Sequence, residues 1–314
     1  CALVAARERA TEQLAGRDGL AACGARLVAY ATRQAHSSVE KAMRIAGLGA
    51  AALREVPVNP DHSMDAGAFR SMVEADLATG LRPFFAVACI GTTGSHAVDP
   101  VADIGPHCGR RGIWLHVDAA HLGIATLCPE LRHLNAGLEH ADSYCVNPHK
   151  WMLVNFDCDA FWVRDRAALV RALSVLPEYL RNSASESGAV VDYRDWQVPL
   201  GRRFRALKLW FVIRHYGVEG LRALVRRHIA LAQRFRQAVL DDPRFELVAP
   251  SPYSLVCFRL RGDDQGNQQL LDRVNATGRV FLTHTRLDGR FVIRMSVGSA
   301  QADERRVDEA WALL

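Results

Sequence analysis

The sequence predicts an α/β fold with a mostly parallel β-sheet covered by helices, followed by a smaller α+β domain. Between about residues 26 and 163, short apolar runs rich in β-formers alternate with helix-length stretches. Strands that are apolar on both faces and separated by helical crossovers are typical of parallel sheets buried between helices. Beyond residue 240, short strands alternate with two helices. We therefore expect a large domain at 1–240 and a small domain at 241–314.

Individual segments predict the elements in order. Strands of the large sheet are predicted at 26–32, 83–90, 112–117, 143–146 and 160–163, with helices near 37–48, 66–80 and 100–110. Residues 174–199 lose periodicity and are rich in Ser, Glu, Gly and Asn, which predicts a mobile loop. Helices at 200–216 and 217–240 follow, divided at Tyr216-Gly217. The small domain has predicted strands at 245–248, 254–260, 279–282 and 291–295, and helices at 265–275 and 302–314.

Composition excludes several classes of protein. The 314 residues are 49% hydrophobic and 23% charged, which excludes a disordered chain. No apolar run reaches the roughly 20 residues of a membrane span, and the net charge of +5 is scattered without the basic stripe of a nucleic-acid-binding protein. Eight cysteines form no C-x-x-C pair and several lie in apolar runs. We interpret them as free thiols of a cytoplasmic protein.

Polar residues follow three of the predicted strands closely. Gly91-Thr92-Thr93, Asp118 and Asn147-Pro148-His149-Lys150 each come at or just after a strand's end. Ligands of open parallel sheets bind at the carboxyl ends of the strands. The sequence therefore predicts a binding site at this edge of the sheet.

Lys150 is the candidate nucleophile of that site. The chain has only three lysines, and Lys41 and Lys208 lie in helical stretches where a solvated position is the default. Lys150 directly follows a strand, between a histidine and a tryptophan, where an amine could form a Schiff base. Position alone equally allows a capping or ion-paired lysine.

Asp118 and His36 each allow a structural and a functional interpretation. Asp118 could be a helix cap, or its carboxylate could hold a pyridine nitrogen protonated against the small Ala119-Ala120. A metal site with His116 and His121 is disfavoured because no further ligand completes it. His36 precedes Ser37-Ser38 at a predicted helix start, where a histidine is usually structural.

Seven ordered blocks along the chain resemble the pyridoxal-phosphate (PLP) group II decarboxylases, specifically the aromatic-L-amino-acid decarboxylase family. The blocks are His36-Ser37-Ser38-Val39-Glu40-Lys41-Ala42, Gly91-Thr92-Thr93, His116-Val117-Asp118-Ala119-Ala120, Asn147-Pro148-His149-Lys150-Trp151, Val154-Asn155-Phe156-Asp157-Cys158, Pro199-Leu200-Gly201-Arg202-Arg203-Phe204-Arg205 and Asp242-Pro243-Arg244-Phe245-Glu246. The resemblance implies PLP fold type I, the aspartate-aminotransferase-like fold.

The resemblance also implies a role for each matching residue. Lys150 would carry the cofactor as a Schiff base, Asp118 would pair with its pyridinium nitrogen, and His36 would stack on its ring near the substrate carboxylate. Tyr179 corresponds to the proton donor of the family's mobile loop. The remaining implied contacts are Thr93 and Ala120 with the ring, Ser143 and Asn147 with the phosphate, His149 beside the cofactor, and Gly201 in a substrate pocket that admits bulky rings.

The implied activity is decarboxylation of an aromatic L-amino acid of the tryptophan, dopa or phenylalanine class to its amine and CO₂, in a homodimer. Histidine decarboxylase, glutamate decarboxylase and aromatic aldehyde synthase remain alternatives, although Tyr179 together with His36 favours simple decarboxylation. A non-catalytic fragment is a further alternative, because the family's phosphate-binding turn precedes the first helix and is expected to be missing from this N-terminally short chain. His121 also stands where many relatives carry tyrosine.

Overall fold

A computed structural model of the protein describes residues 1–175 and 190–314. Its larger sheet has six strands in the order β2-β1-β3-β4-β5-β6, of which only β6 runs antiparallel to its neighbour. The strands are β1 (Leu27–Thr32), β2 (Leu53–Val56), β3 (Arg82–Cys89), β4 (Trp114–Asp118), β5 (Ser143–Val146) and β6 (Ala160–Val163). The mostly parallel sheet and its five predicted strands are confirmed, and β2 was missed.

Helices cover both faces of this sheet. They are α1 (Ala2–Ala10), α2 (Leu14–Asp18), α3 (Ser38–Ile45), α4 (Ala66–Ala78), α5 (Val101–Arg111), α6 (Pro148–Trp151) and α7 (Arg166–Leu173), with short 3₁₀ helices that include Leu122–Leu127 and Pro129–Asn135. Successive strand residues point to opposite faces. In β3, Ala86 and Ala88 therefore belong to one buried cluster and Phe85 and Val87 to the other.

The second sheet is antiparallel, in the order β7-β8-β10-β9. Its elements are β7 (Phe245–Leu247), β8 (Leu255–Leu260), β9 (Thr283–Leu287), β10 (Arg290–Ser296), α8 (Arg205–Asp241), α9 (Asp264–Ala276) and α10 (Glu304–Ala312). The strand predicted at 279–282 is wrong, since β9 begins at Thr283. The Asn275 side chain takes both backbone groups of Leu282, accepting from its N–H at 2.8 Å and donating to its carbonyl at 3.0 Å. Leu282 is thereby withheld from the sheet.

Helix α8 is broken at Gly217, whose φ of 63° and ψ of 175° interrupt the helical backbone. The predicted division at this glycine is confirmed. Beyond the break, Leu221 and Val225 pack in the core of the first sheet, whereas Phe235 and Val239 pack in the core of the second. One helix thus serves both cores, and we retain the division into 1–240 and 241–314 as a proposal.

Parallel pairing brings three strand ends to one level. Cys89 of β3 pairs with Asp118 of β4, which pairs in turn with Cys145 of β5. The buried Asp99 carboxylate fixes the end of β3, because it accepts hydrogen bonds from the Cys89 N–H and the Met64 N–H, each at 2.7 Å. The polar residues that follow β3, β4 and β5 therefore open onto one edge of the sheet. Among the described residues, no helix is long and apolar enough to cross a membrane.

Candidate active site

A cavity of about 170 Å³ lies at this edge of the sheet. Five of the predicted site residues line it, namely His36, Thr93, Asp118, Ala120 and Lys150. The rest of its wall is formed by Cys89, Gly91, Thr92, His96, His121, Arg294 and Ser296. Residues that are distant in sequence are thus brought together as the strand-end prediction required.

Asp118 ends β4 with its carboxylate at the cavity. Oδ1 accepts the Ala120 N–H at 3.0 Å and the Cys145 thiol at 3.7 Å. Among the described residues no hydrogen bond reaches Oδ2, so this oxygen can accept a donor from a molecule in the cavity. The second residue after the aspartate, Ala120, is small enough to let a flat ligand approach the backbone.

Lys150 lies in α6, a four-residue helix that directly follows β5. Pro148 starts the helix, and the Lys150 N–H donates to the Asn147 carbonyl at 2.9 Å. This tight turn carries the lysine from the strand to the cavity wall. Within the described ranges its amine has no ion-pair or hydrogen-bond partner. The amine and the Asp118 carboxylate therefore face the same space without neutralising each other through a direct contact.

His36 caps the start of α3 from within the cavity wall. The Ser38 N–H donates to His36 Nδ1 at 3.2 Å, and the Ser38 hydroxyl lies 2.9 Å from the same nitrogen. A backbone N–H can only donate, so Nδ1 is unprotonated and the proton of the neutral ring is on Nε2. The structural and the functional interpretation of His36 thus coexist, because the cap fixes a ring whose Nε2–H has no hydrogen-bond partner among the described residues.

Arg294 was not predicted. It comes from β10 of the small sheet, and its guanidinium donates to the Thr93 carbonyl at 2.6 Å and to the Thr283 hydroxyl at 3.0 Å. Its Nε is buried without a hydrogen-bond partner among the described residues. Burial lowers the pKa of the guanidinium, which remains a cation because the ordinary value is so high. Nothing near residue 294 signals this role, since the contact joins segments 201 residues apart.

His121 and His96 add an uncharged imidazole wall. The His121 ring stacks on Trp151 with centroids 5.1 Å apart and lies 4.9 Å from the His96 ring. Burial first, then the charges of Lys150 and Arg294, lower the pKa of His121 to about 4. Burial also lowers the pKa of His96. In both rings Nδ1 is buried and has no hydrogen-bond partner among the described residues.

The other predicted residues that the structure describes do not line the cavity. His149 Nδ1 accepts the Cys158 N–H at 3.0 Å, and Asn147 lies beside the cavity with its buried Oδ1 unpartnered among the described residues. Gly201 is exposed, with nothing within 4 Å of where a Cβ would stand. Tyr179 lies outside the described residues.

Ser143 requires a correction. Its hydroxyl, predicted to help hold a phosphate, is buried at the level of His116 and engages Trp114 Nε1 at 2.8 Å and His116 Nδ1 at 2.9 Å. The strand direction places it below the level of Asp118, away from the cavity. Within the described part of the chain, no group of three or more His, Cys, Asp or Glu side chains could hold a metal ion.

Comparison with known proteins identifies the family. The model of the pyridoxal-dependent decarboxylase conserved domain matches residues 1–261. The chain belongs to this family. It is 47% identical over 322 residues to tryptophan decarboxylase 2 of Oryza sativa subsp. japonica, and 47% identical over 313 residues to aromatic-L-amino-acid decarboxylase of Rattus norvegicus. These alignments cover 100% and 99% of the chain but 64% and 65% of the relatives, so the chain spans less than two thirds of their length.

Solved structures confirm the fold-type I expectation. The crystal structure of Oryza sativa TDC with PLP and tryptamine superposes with a TM-score of 0.94 at 43% identity, covering 99% of this chain and 66% of that one. The cavity of this family member suits the same cofactor. A lysine amine matches an aldehyde, and a carboxylate oxygen with no hydrogen-bond partner among the described residues matches a protonated pyridine nitrogen.

Proposed function

We propose that the protein decarboxylates an aromatic L-amino acid to its amine and CO₂, with pyridoxal phosphate held on Lys150. The observation that carries the proposal is the joint placement of the Lys150 amine and the Asp118 carboxylate on one cavity at the strand ends. Membership of the pyridoxal-dependent decarboxylases supports the reaction class. The names of the rice and rat relatives support an aromatic substrate.

When bound, the cofactor supplies the electron sink for the electron pair released with CO₂. The carboxylate of Asp118 holds a proton at the pyridine nitrogen and so keeps that sink positively charged. The amine of Lys150 would hold the cofactor covalently, through a bond that the amine of the substrate would replace. Tyr179, outside the described residues, is the proposed donor of the proton to Cα.

Arg294 and His36 are the proposed partners of the substrate carboxylate. Arg294 brings to the cavity a half-buried cation whose Nε has no partner among the described residues, and His36 presents its Nε2–H to the same space. Arg294 and His36 would orient the bond between Cα and the substrate carboxylate, which is the bond that breaks. The CO₂ that leaves is uncharged, so neither group needs to bind it. Thr93, Ala120, Asn147 and His149 are proposed neighbours of the cofactor. Gly201 is proposed, on the resemblance alone, to leave room for a bulky substrate ring.

The test is product analysis on the purified chain. Supplied with PLP and with tryptophan, dopa or phenylalanine in turn, it should release the corresponding aromatic amine and CO₂ in equal amounts, whereas release of amine from histidine alone would identify a histidine decarboxylase. Lys150→Arg keeps the positive charge and removes the primary amine, so it serves as the matched inactive control. Aldehyde with ammonia and peroxide would identify an aldehyde synthase instead. Equal product from the wild type and Lys150→Arg would refute the proposed site.

We further propose that the protein acts as a cytoplasmic homodimer. Large apolar side chains are exposed along the segment that leads into α8 and along its first turns; they include Val198 at 74%, Leu200 at 71%, Phe204 at 76% and Phe211 at 57% exposure. Several large apolar side chains exposed along one segment are consistent with a protein–protein interface. All eight cysteines are free, which supports a reducing compartment. Sedimentation should give a dimer that Phe204→Asp together with Phe211→Asp converts to monomer, and cell fractionation tests the location.

A further inference from the structure

A row of polar side chains runs beneath the cavity and ends on Asp118. Trp114 Nε1 lies 2.8 Å from Ser143 Oγ, which lies 2.9 Å from His116 Nδ1. The other nitrogen of that ring, Nε2, lies 3.8 Å from Cys145 Sγ, which lies 3.7 Å from Asp118 Oδ1. The two last distances are hydrogen-bond contacts of sulfur, whose radius exceeds that of oxygen.

The sheet explains why these side chains meet. Trp114, His116 and Asp118 alternate along β4 and so share one face. In the adjacent strand β5, Ser143 pairs with His116 and Cys145 pairs with Asp118. The contacts therefore climb in register toward the carboxyl end of the strands.

Donor chemistry gives the row a direction. The indole Nε1–H of Trp114 can only donate, so Ser143 Oγ accepts it and can direct its own proton to His116 Nδ1. His116 then carries its ring proton on Nε2 and donates it to Cys145 Sγ. The thiol proton is left for Asp118 Oδ1, which as a carboxylate can only accept. Every proton in the row points toward the negative charge of Asp118.

The surroundings of His116 keep its imidazole neutral, as hydrogen bonds directed toward Asp118 require. Its ring lies between Phe85 and Phe161, with centroids 6.2 and 6.3 Å away. Burial lowers the pKa of His116, which keeps the imidazole neutral, with one donor and one acceptor nitrogen. Burial and the neighbouring Asp118 carboxylate raise the pKa of the Cys145 thiol, which keeps its proton in place.

We propose that Ser143, His116 and Cys145 form a directed hydrogen-bond relay that positions the Asp118 carboxylate and stabilises its charge. They are positioning residues, because they touch Asp118 or one another and do not line the cavity. With Oδ1 occupied by the relay and by the Ala120 N–H, Oδ2 is the oxygen turned to the cavity. Aligned hydrogen bonds in a low-dielectric interior polarise and strengthen one another. The proposal rests on the proposed function for its benefit, which is tighter binding of a protonated ring nitrogen.

The direction of the relay is tested on the cofactor-free protein. Nitrogen-15 NMR of the neutral His116 ring should show the proton on Nε2, and a proton on Nδ1 would overturn the relay as written. Infrared spectroscopy should show a Cys145 S–H band, assigned by its loss in Cys145→Ser, that moves to higher frequency in Asp118→Ala. An unmoved band would mean that the thiol does not donate to Asp118. Neither measurement requires PLP, so both stand even if the proposed function fails.

The effect on Asp118 is tested by PLP affinity. Cys145→Ala removes the thiol through which the relay donates to Asp118 Oδ1. It should weaken the measured PLP affinity about tenfold, the usual order for one lost hydrogen bond to a charged group. Cys145→Ser keeps a donor and should restore most of it. Cys108→Ala, which truncates an equally small buried thiol on α5, is the control and should leave affinity unchanged. Equal affinities of Cys145→Ala and Cys108→Ala would refute the positioning role.

Substitutions of His116 test the relay independently of Cys145. His116→Gln retains an acceptor toward Ser143 and a donor toward Cys145, whereas His116→Leu retains neither. Gln should therefore bind PLP more tightly than Leu, with the ring-nitrogen resonance of nitrogen-15-labelled PLP staying closer to its protonated position. The reverse order would refute the relay. A wild-type chain that fails to bind PLP at all would count against the proposed function and leave the relay to the cofactor-free measurements.

Discussion

Replacing Gly91 by alanine tests how closely the backbone that lines the cavity approaches Leu122. Gly91 follows β3 with a φ of +84°, and a Cβ built on it would lie 2.4 Å from the Cβ of the buried Leu122. The positive φ costs an L-residue about 1–2 kcal/mol, and overpacking a rigid core site adds about 1–3 kcal/mol. We therefore expect Gly91→Ala to lower the free energy of unfolding by about 2–5 kcal/mol.

A matched glycine separates strain from clash. Gly80 has a φ of +79° but no atom within 4 Å of where a Cβ would stand, so Gly80→Ala should cost only the strain, about 1–2 kcal/mol. Urea denaturation of the wild type and both variants gives the two differences directly. If Gly91→Ala is no more destabilising than Gly80→Ala, the close approach of Gly91 to Leu122 does not hold in solution and the reasoning is refuted.

Three further outcomes are expected. Burial raises the pKa of Asp99 to about 7, above its value in the unfolded chain. The stability of the wild type relative to Asp99→Asn should therefore be greatest near pH 4 and fall as the pH rises to 7, by ~1.4 kcal/mol per pH unit at most. Urea midpoints of the two proteins that stay parallel over this range would contradict the prediction. Arg259→Met should lower the free energy of unfolding by about 1–3 kcal/mol, because the buried guanidinium loses its ion pairs with Glu246 and Asp264 and its hydrogen bond to the Gly262 carbonyl; a loss under about 1 kcal/mol in denaturation would show that solvent already screens the cluster. Arg294→Met should raise KM for the amino acid about tenfold while PLP affinity holds, and an unchanged KM in steady-state assays would remove Arg294 from the substrate site.

Periodicity predicted the elements that repeat a simple pattern. The buried runs of β1, β3 and β4 and the break at Gly217 were found because apolar residues and a glycine announce them locally. Strand β2 was missed because Arg54 and Glu55 stand at its centre, so its four residues form no apolar run. Strand β9 was misplaced because side-chain bonds of Asn275, seven residues before Leu282, decide where the strand begins.

The site residues, too, were predicted where the local sequence indicates them and missed where only tertiary packing brings them to the cavity. Asp118, Lys150 and Thr93 were found because each stands at or just after a strand whose end faces the cavity. Arg294 was missed because it reaches the cavity from the other sheet, and tertiary packing alone joins it to Thr93. Ser143 was assigned to the wrong neighbour because a strand's sequence does not reveal which adjacent side chain its hydroxyl meets.

The most direct test of the central claim is to identify the lysine that binds the cofactor. The chain would be incubated with PLP, reduced with borohydride and digested, and the modified peptide would be sequenced by mass spectrometry. We expect modification at Lys150, with loss of the label in Lys150→Arg and retention in Lys208→Arg. Label on Lys41 or Lys208 in the wild-type chain would contradict the proposed site, because neither lysine lines the cavity that contains Asp118.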